Sequence, residues 1–406
     1  PRRDDHPRGP ELQAVTPQAR VQAAIEILDL VIAAARANGA PADRIVSDWF
    51  RTRRFAGSKD RRAVRELVYL AIRVCGPVPI DGRAAMLRVA QDDATVASVF
   101  DGSPHAPAPI FPGEAAAEGG IAPAWLETAL AESGVAGGDA LALLERAPLD
   151  LRINTLKADP ATLELPLPGE PAPARHSLRF PYGTQVEAWD AYTCGQIEVQ
   201  DAGSQLVCSA LAVQPGALVI DLCAGAGGKT LGLAAAMANR GRLIACDVDR
   251  PRLSKLEPRA VRAGVTIAET RLLDPNREAA ALADLMGQAD AVLVDAPCSG
   301  TGTWRRNPEA RWRLTPDQLA RYVAIQARLL DLAAGLVRPG GRLGFVTCSL
   351  LDAEGAVQAA GFLARHPEWQ AETLDLGAGE ARGPGFRLSP ARDGTDGFFV
   401  ACFQKR

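Results

Sequence analysis

Apolar residues recur every three to four positions at Val21, Ala24, Ile25, Leu28, Val31, Ile32 and Ala35, the spacing of one helix face. Thr16-Pro17 supplies an N-cap and a first helical residue ahead of that run, and Asn38-Gly39 closes it. The spacing returns at Ile45, Val46, Trp49 and Phe50, and after Ser58 at Ala63, Val64, Leu67, Leu70, Ala71 and Val74. Residues 1–102 are therefore predicted to be an all-helical domain. Pro104, Pro107, Pro109 and Pro112 cannot sustain a helix, so 103–122 reads as a linker. Residues 123–199 hold a helix near Trp125, a strand-like LRINTL (151–156) and a second Pro-rich patch at 165–173, which predicts a small α/β module. From about residue 200 the pattern changes to short apolar strands alternating with longer helices: ALVIDL (217–222), RLIACD (242–247), DAVLVDA (290–296) and RLGFVTC (342–348). Such alternation predicts an α/β fold over 200–406 with a parallel sheet wound on both faces, and ligands bind such sheets beyond the carboxyl ends of the strands.

Composition narrows the class. A chain of 406 residues exceeds one ordinary core, and no apolar run reaches the roughly 18 residues that span a bilayer, so no membrane partner is expected. The opening PRRDDHPRGP has no apolar stretch before a small-residue cleavage site, which makes a cytoplasmic location the default expectation. Eight cysteines without a CxxC pair, beside only four histidines, fit neither a disulfide framework nor a metal site. A net charge of -3 leaves no global basic footprint, so any nucleic-acid surface must be local.

The sequence DLCAGAGGKT places Gly225, Gly227 and Gly228 between a strand and a helix, where backbone can approach a ligand closely. A P-loop would need glycine where Cys223 stands, and a dinucleotide fingerprint would need its third glycine at Thr230. What remains is the looser acidic-then-glycine loop of methyltransferases, opened by Asp221. Asp247 ends the next strand, where a carboxylate accepts ribose hydroxyls. Asp274 is placed to lie near an adenine, and Lys229 to meet a carboxylate of the ligand.

DAPCSGTG puts Asp295 and Cys298 just beyond one strand, and TCS puts Cys348 at the end of the next, so both thiols face one crevice. Alkylation of a pyrimidine carbon wants this arrangement. C5 of cytosine is a poor nucleophile until a thiolate adds at C6; a carboxylate on the base eases the addition, and a base then removes the C5 proton. Asp295 suits the first auxiliary role and Cys298 the second, although spacing alone does not say which cysteine attacks.

The chain resembles the RsmB/Sun-type RNA (cytosine-5) methyltransferases. LRINTLK (151–157), QDAGSQ (200–205), the glycine loop, DAPCSGTG, RRNPEARW (305–312), TCS and DGFFVACFQK (396–405) occur in that family's order. The resemblance implies a Rossmann-like class I methyltransferase domain, a preceding small RNA-binding module and, as in the bacterial RsmB branch, a helical NusB-like domain. It implies S-adenosylmethionine held by Cys223, Ala224, Gly225, Ala226, Gly227, Gly228, Lys229, Asp247, Asp274 and Asp295. It also implies Cys348 as nucleophile and Cys298 as the residue that aids product release. One departure is Ala226, where the family usually has proline.

RNA contact is expected in two places. Arg51, Arg53, Arg54, Lys59, Arg61, Arg62, Arg65 and Arg73 face only Asp60 and Glu66, and the stretch 304–313 interleaves Trp304 and Trp312 with Arg305, Arg306, Arg311 and Arg313. The implied partner is RNA, in first place 16S ribosomal RNA or a small-subunit assembly intermediate, with transfer RNA as the alternative substrate. A methyltransferase acting on protein or a small molecule would not need two cysteines at strand ends. A non-catalytic RNA-binding assembly factor would not depend on Cys348.

Overall fold

The computed structural model describes residues 15–53 and 57–406. They form two compact units: one reaches Thr128 and includes Asn307–Arg313, and the other holds Ala129–Arg306 and Leu314–Arg406.

The first unit is helical. Helix α1 (Pro17–Arg36) starts at the expected cap, with the Thr16 hydroxyl accepting the Ala19 amide, and buries the predicted face from Val21 to Ala35. Helices α2 (Ala42–Thr52), α3 (Ser58–Val74) and α4 (Gly82–Asp92) pack their apolar stripes with it into a core containing Leu28, Ile32, Val46, Phe50, Val68, Ile72 and Met86. The Pro-rich stretch is not a free linker. Arg83 on α4 donates to the Ala108 and Pro109 carbonyls and pairs with Glu114, while the Ala117 amide bonds the Ala84 carbonyl, so backbone groups without helix or sheet partners find them on α4.

The second unit contains two sheets. A small antiparallel sheet is formed by β1 (Leu149–Ile153), β2 (Glu170–Pro171), β3 (Ser177–Phe180) and β4 (Ile197–Val199), in the order β2-β3-β1-β4. Leu151, Phe180, Val186, Trp189 and Ile197 make its core. The expected strand at 151–156 ends early because Asn154 turns aside, its amide donating to the Gly195 and Ala263 carbonyls.

The large sheet has five parallel strands: β5 (Leu218–Asp221), β6 (Arg242–Asp247), β7 (Ala268–Leu272), β8 (Ala289–Asp295) and β9 (Val337–Thr347). It continues antiparallel through β10 (Trp369–Ala371), β11 (Glu380–Arg382), β12 (Gly385–Leu388) and β13 (Phe398–Lys405). The order is β11-β12-β13-β9-β8-β5-β6-β7, with β10 also on β13. The sheet is thus mixed rather than wholly parallel. The six residues 398–403 of β13 are all buried, and a strand so apolar gains most from a place beside β9 rather than at an edge. The chain moves from β5 to β6 and β7 on one side and returns to β8 on the other, so the strand order reverses between β5 and β8, where open α/β sheets open a crevice. Among the described residues, no helix is long and apolar enough to cross a membrane.

Candidate active site

The carboxyl ends of β5, β6, β8 and β9 share one cavity of about 610 Å³. Its wall includes Cys223 after β5, Asp247 at the end of β6, Asp295 to Cys298 after β8, and Cys348 after β9. Cys223 of the acidic-glycine loop, Asp247 and the cysteine pair therefore meet in one space. Ala224 to Lys229 are not in that wall, and Asp274 is exposed, although Leu273, Pro275 and Asn276 on either side of it line the cavity.

The loop is built by hydrogen bonds to backbone. Gly225 donates its amide to Asp247 Oδ2 at 2.7 Å, and Asp249 donates to Asp247 Oδ1 at 2.8 Å, which fixes the carboxylate. Gly227 caps the helix Gly228–Ala236 with φ +85°, a conformation that favours glycine. The family's proline is replaced by Ala226, yet the turn is pinned from outside: Arg259 donates to the Ala226 carbonyl at 2.7 Å. No sequence pattern pointed to Arg259, which lies 33 residues away. Lys229 pairs with Asp295 at 2.7 Å. Burial works against its ammonium, but the charge and hydrogen bond of Asp295 outweigh it and hold Lys229 above the usual lysine value. Asp221 is fully buried; Thr230 donates to its Oδ2 at 2.7 Å and its Oδ1 has no partner, so desolvation pushes the carboxyl up to about 7.

Cys298 Sγ and Cys348 Sγ are 3.3 Å apart. Contact with Cys348 first, and burial second, push the Cys298 thiol well above its ordinary value, so Cys298 keeps its proton. A buried carboxylate that sequence reasoning did not single out ties both turns together. Glu354 accepts the Ser299 amide at 2.9 Å, the Ser299 hydroxyl, and the Gln326 side chain at 3.1 Å; Gln326 also donates to the Pro297 carbonyl. Ser299 and Thr301 each meet the Ser349 hydroxyl, and Gly302 donates to the Cys348 carbonyl at 3.0 Å. The Pro297–Thr301 turn and the strand end at Cys348 are one hydrogen-bonded assembly. Fifty-five residues separate Ser299 from Glu354, so no local pattern could have shown it.

In the expected stacking surface at 304–313, Trp304, Arg305, Arg311 and Trp312 are instead buried, and Arg306 and Arg313 are half-buried. Trp304 is fully buried, and Arg305 donates to the Gly394 and Thr395 carbonyls. Arg306 is held between Asp201 and Asp396. Within the helical unit, Arg311 caps the C-terminal carbonyls Ile72 and Arg73 of α3 and also reaches Cys75; Trp312 donates to Cys75 and Gly76, and Arg313 to Ala34, Gly39 and Ala40. Guanidiniums spent on buried carbonyls and carboxylates have no fork left for a phosphate. Of the α2–α3 basic run, Arg54 lies outside the described residues, and Arg61, with its guanidinium 5.7 Å from the Phe50 ring, is exposed together with Arg62 and Arg65.

The residues present fit the expected cofactor. Asp247 and Asp295 ring a cavity large enough for a nucleoside-sized ligand, and their negative charge suits a sulfonium, an ammonium and ribose hydroxyls. Residues 208–404 match the family model described as 16S rRNA methyltransferase RsmB/F. The chain is 36% identical over 269 residues to a ribosomal RNA small subunit methyltransferase B of Xanthomonas campestris, covering 64% of this chain and 60% of that one. It is 35% identical over 230 residues to the protein of the same name in Erwinia tasmaniensis, covering 57% and 52%. It thus spans between half and three fifths of the length of these relatives. The crystal structure of PH0851 superposes with a TM-score of 0.75 at 26% identity, covering 96% of this chain and 99% of that one. Over residues 208–404 the chain thus resembles the RsmB/F methyltransferases, and S-adenosylmethionine is its cofactor.

Proposed function

We propose that this protein methylates C5 of a cytosine in RNA, with 16S ribosomal RNA as the substrate, through a covalent bond from Cys348 to C6. The observation that carries this reading is the pair of thiols 3.3 Å apart in the wall of the cavity that also holds Asp247 and Asp295. When bound, S-adenosylmethionine supplies an electrophilic methyl group. Cys348 forms its sulfur–carbon bond at C6, and the C5–C6 electron pair moves to C5, which takes the methyl group. Asp295, anchored by Lys229, hydrogen-bonds the base and orients it. Water in the cavity takes the C5 proton, the C5–H electron pair restores the C5–C6 bond as the Cys348–C6 bond breaks, and Cys298, the neutral thiol beside the departing sulfur, donates its proton to it. The cytosine has to leave its stack to reach the thiol, which favours single-stranded or unfolded RNA. In this reading Asp274 sits at the adenine end of the cofactor cavity, the helical unit is a NusB-like domain presenting Arg61, Arg62 and Arg65, and the four-stranded sheet is the RNA-binding module.

The test is transfer of labelled methyl to unmodified 16S ribosomal RNA and, separately, to transfer RNA, followed by nucleoside analysis, with wild type and Cys348→Ala. Label in 5-methylcytidine of the ribosomal RNA, absent with the variant, is expected. Label in another nucleoside, or equal transfer by the variant, would sink the thiolate mechanism, and label confined to transfer RNA would overturn the substrate.

A further inference from the structure

A second cavity, of about 420 Å³, lies where the four-stranded sheet meets the helices Ala202–Ser209 and Gly228–Ala236. Arg152 of β1, with Arg175 and His176 from the turn between β2 and β3, lines it, and no carboxylate does. Arg152 is 9% exposed, and its one hydrogen bond among the described residues runs from Nε to Gln200 Oε1 at 2.8 Å. Both terminal nitrogens are left over. Glu198 stands opposite Arg152 in the β1–β4 register but is already taken by Arg259 and Arg262. Burial lowers the Arg152 guanidinium from its ordinary value, the cost of a buried cation without a full set of acceptors. Gly232 keeps the neighbouring helix surface bare: a Cβ there would come within 3.3 Å of Cys208 Sγ and 3.8 Å of Arg152 Cζ. Arg175 is exposed with no carboxylate partner among the described residues.

We propose that this cavity is a phosphate site, in which Arg152, Arg175 and His176 receive a phosphodiester group of the RNA chain. A planar fork offering unsatisfied donors, with a second arginine at the rim and no competing acid, is the chemistry that recognises a phosphate. Position fits the same ligand. Gly232, Leu233, Ala235 and Ala236 line the cavity and the helix starts at Gly228 in the cofactor loop, so the two sites are offset by about 6 to 12 Å along the helix axis at about 1.5 Å per residue. The inference rests on RNA being the substrate, and adds where its backbone is held.

The experiment is binding of a labelled single-stranded RNA oligonucleotide to the full chain by fluorescence anisotropy across a series of salt concentrations. It compares wild type, Arg175→Glu and Arg152→Met, with S-adenosylmethionine binding measured on each as a check of folding. Each variant is expected to weaken RNA binding about tenfold and to reduce the slope of log Kd against log salt by about one, with cofactor affinity unchanged. Arg175 is exposed, so its variant reports even if Arg152→Met fails to fold. Wild-type affinity and slope in Arg175→Glu would overturn the site while leaving the RNA reading intact. Absence of RNA binding by wild type would overturn both. Stabilisation of wild type by inorganic phosphate, lost in Arg152→Met whose RNA affinity is unchanged, would make this a free-anion pocket and overturn the RNA assignment.

Discussion

Cys298 Sγ stands 3.3 Å from Cys348 Sγ, within hydrogen-bond reach, and contact with Cys348 and burial push the Cys298 thiol well above its ordinary value. Cys298 is therefore held as a neutral thiol beside the sulfur assigned to attack. Removing the neutral one is expected to leave bond formation possible and to slow release. Cys298→Ala should accumulate a denaturation-resistant protein–RNA complex and turn over at least about 10²-fold more slowly, the size of a lost acid–base contribution. Cys348→Ala should form no complex. Denaturing electrophoresis with labelled RNA reads both, and a complex in Cys348→Ala would reverse the roles.

Glu354 is expected to act through position. Glu354→Gln keeps the size but exchanges an acceptor oxygen for a donor facing the Ser299 amide, so both cysteine turns lose their common anchor. Methyl transfer should fall about tenfold in kcat with little change in cofactor affinity, since an ångström of misplacement costs up to about 10²-fold. Calorimetric titration with S-adenosylmethionine, beside the kinetics, separates this from general unfolding; an unchanged kcat would show that the anchor is dispensable.

Asp221 predicts a pH dependence of stability. Unfolded, its carboxyl titrates near 3.9, and folded at about 7, so between those values the folded state holds a proton that the unfolded state has released. Stability from this group is therefore present at low pH and lost as pH rises toward 7, by no more than about 4 kcal/mol. Asp221→Asn, which still accepts from Thr230, should gain on wild type as pH rises from about 4 to about 8. Urea denaturation at the two ends of that range gives the comparison. An offset of the same size at both would mean that Asp221 is ionised throughout.

Gly227 has no room for a side chain. A Cβ would fall 2.0 Å from Leu256 Cδ1, and Leu256 is itself buried, so Gly227→Ala should cost about 2 kcal/mol from clash and backbone strain together and weaken cofactor binding. Gly216, also at positive φ but with nothing within 4 Å, is the control: Gly216→Ala should lose about 1 kcal/mol and leave the cofactor affinity unchanged. Equal effects at both positions would remove the steric part of the argument.

Arg311 should be a stability residue. It is fully buried, and burial pulls its guanidinium down to about 9, yet it satisfies the Ile72, Arg73 and Cys75 carbonyls at the end of α3. Arg311→Met removes the donor from the Ile72 and Arg73 carbonyls, leaving Cys75 only the Trp312 indole, and should destabilise the protein by about 3 kcal/mol. A lower urea midpoint is expected; an unchanged midpoint accompanied by weaker RNA binding would restore the surface role that its composition suggests.

What the sequence determined by itself is what depends on neighbours a few residues apart. Period and caps placed α1 to within two residues, because a helix face and its N-cap are local properties, and the same logic located β5, β6, β8 and β9 and the Asp and Cys residues at their ends. Tertiary structure decided what depends on distant partners. Tryptophan and arginine in 304–313 have the same local signature on a surface or in a core, and only the carbonyls of α3 and the residues around Asp396 made them interior. Glu354 and Arg259 became parts of the site through contacts 55 and 33 residues away, and the apolar run 398–403 could have paired in either direction until β9 offered its edge. Arg152 keeps its terminal nitrogens for the cavity while Glu198, its neighbour across the sheet, pairs with two other arginines, a competition for charge that no window of sequence contains.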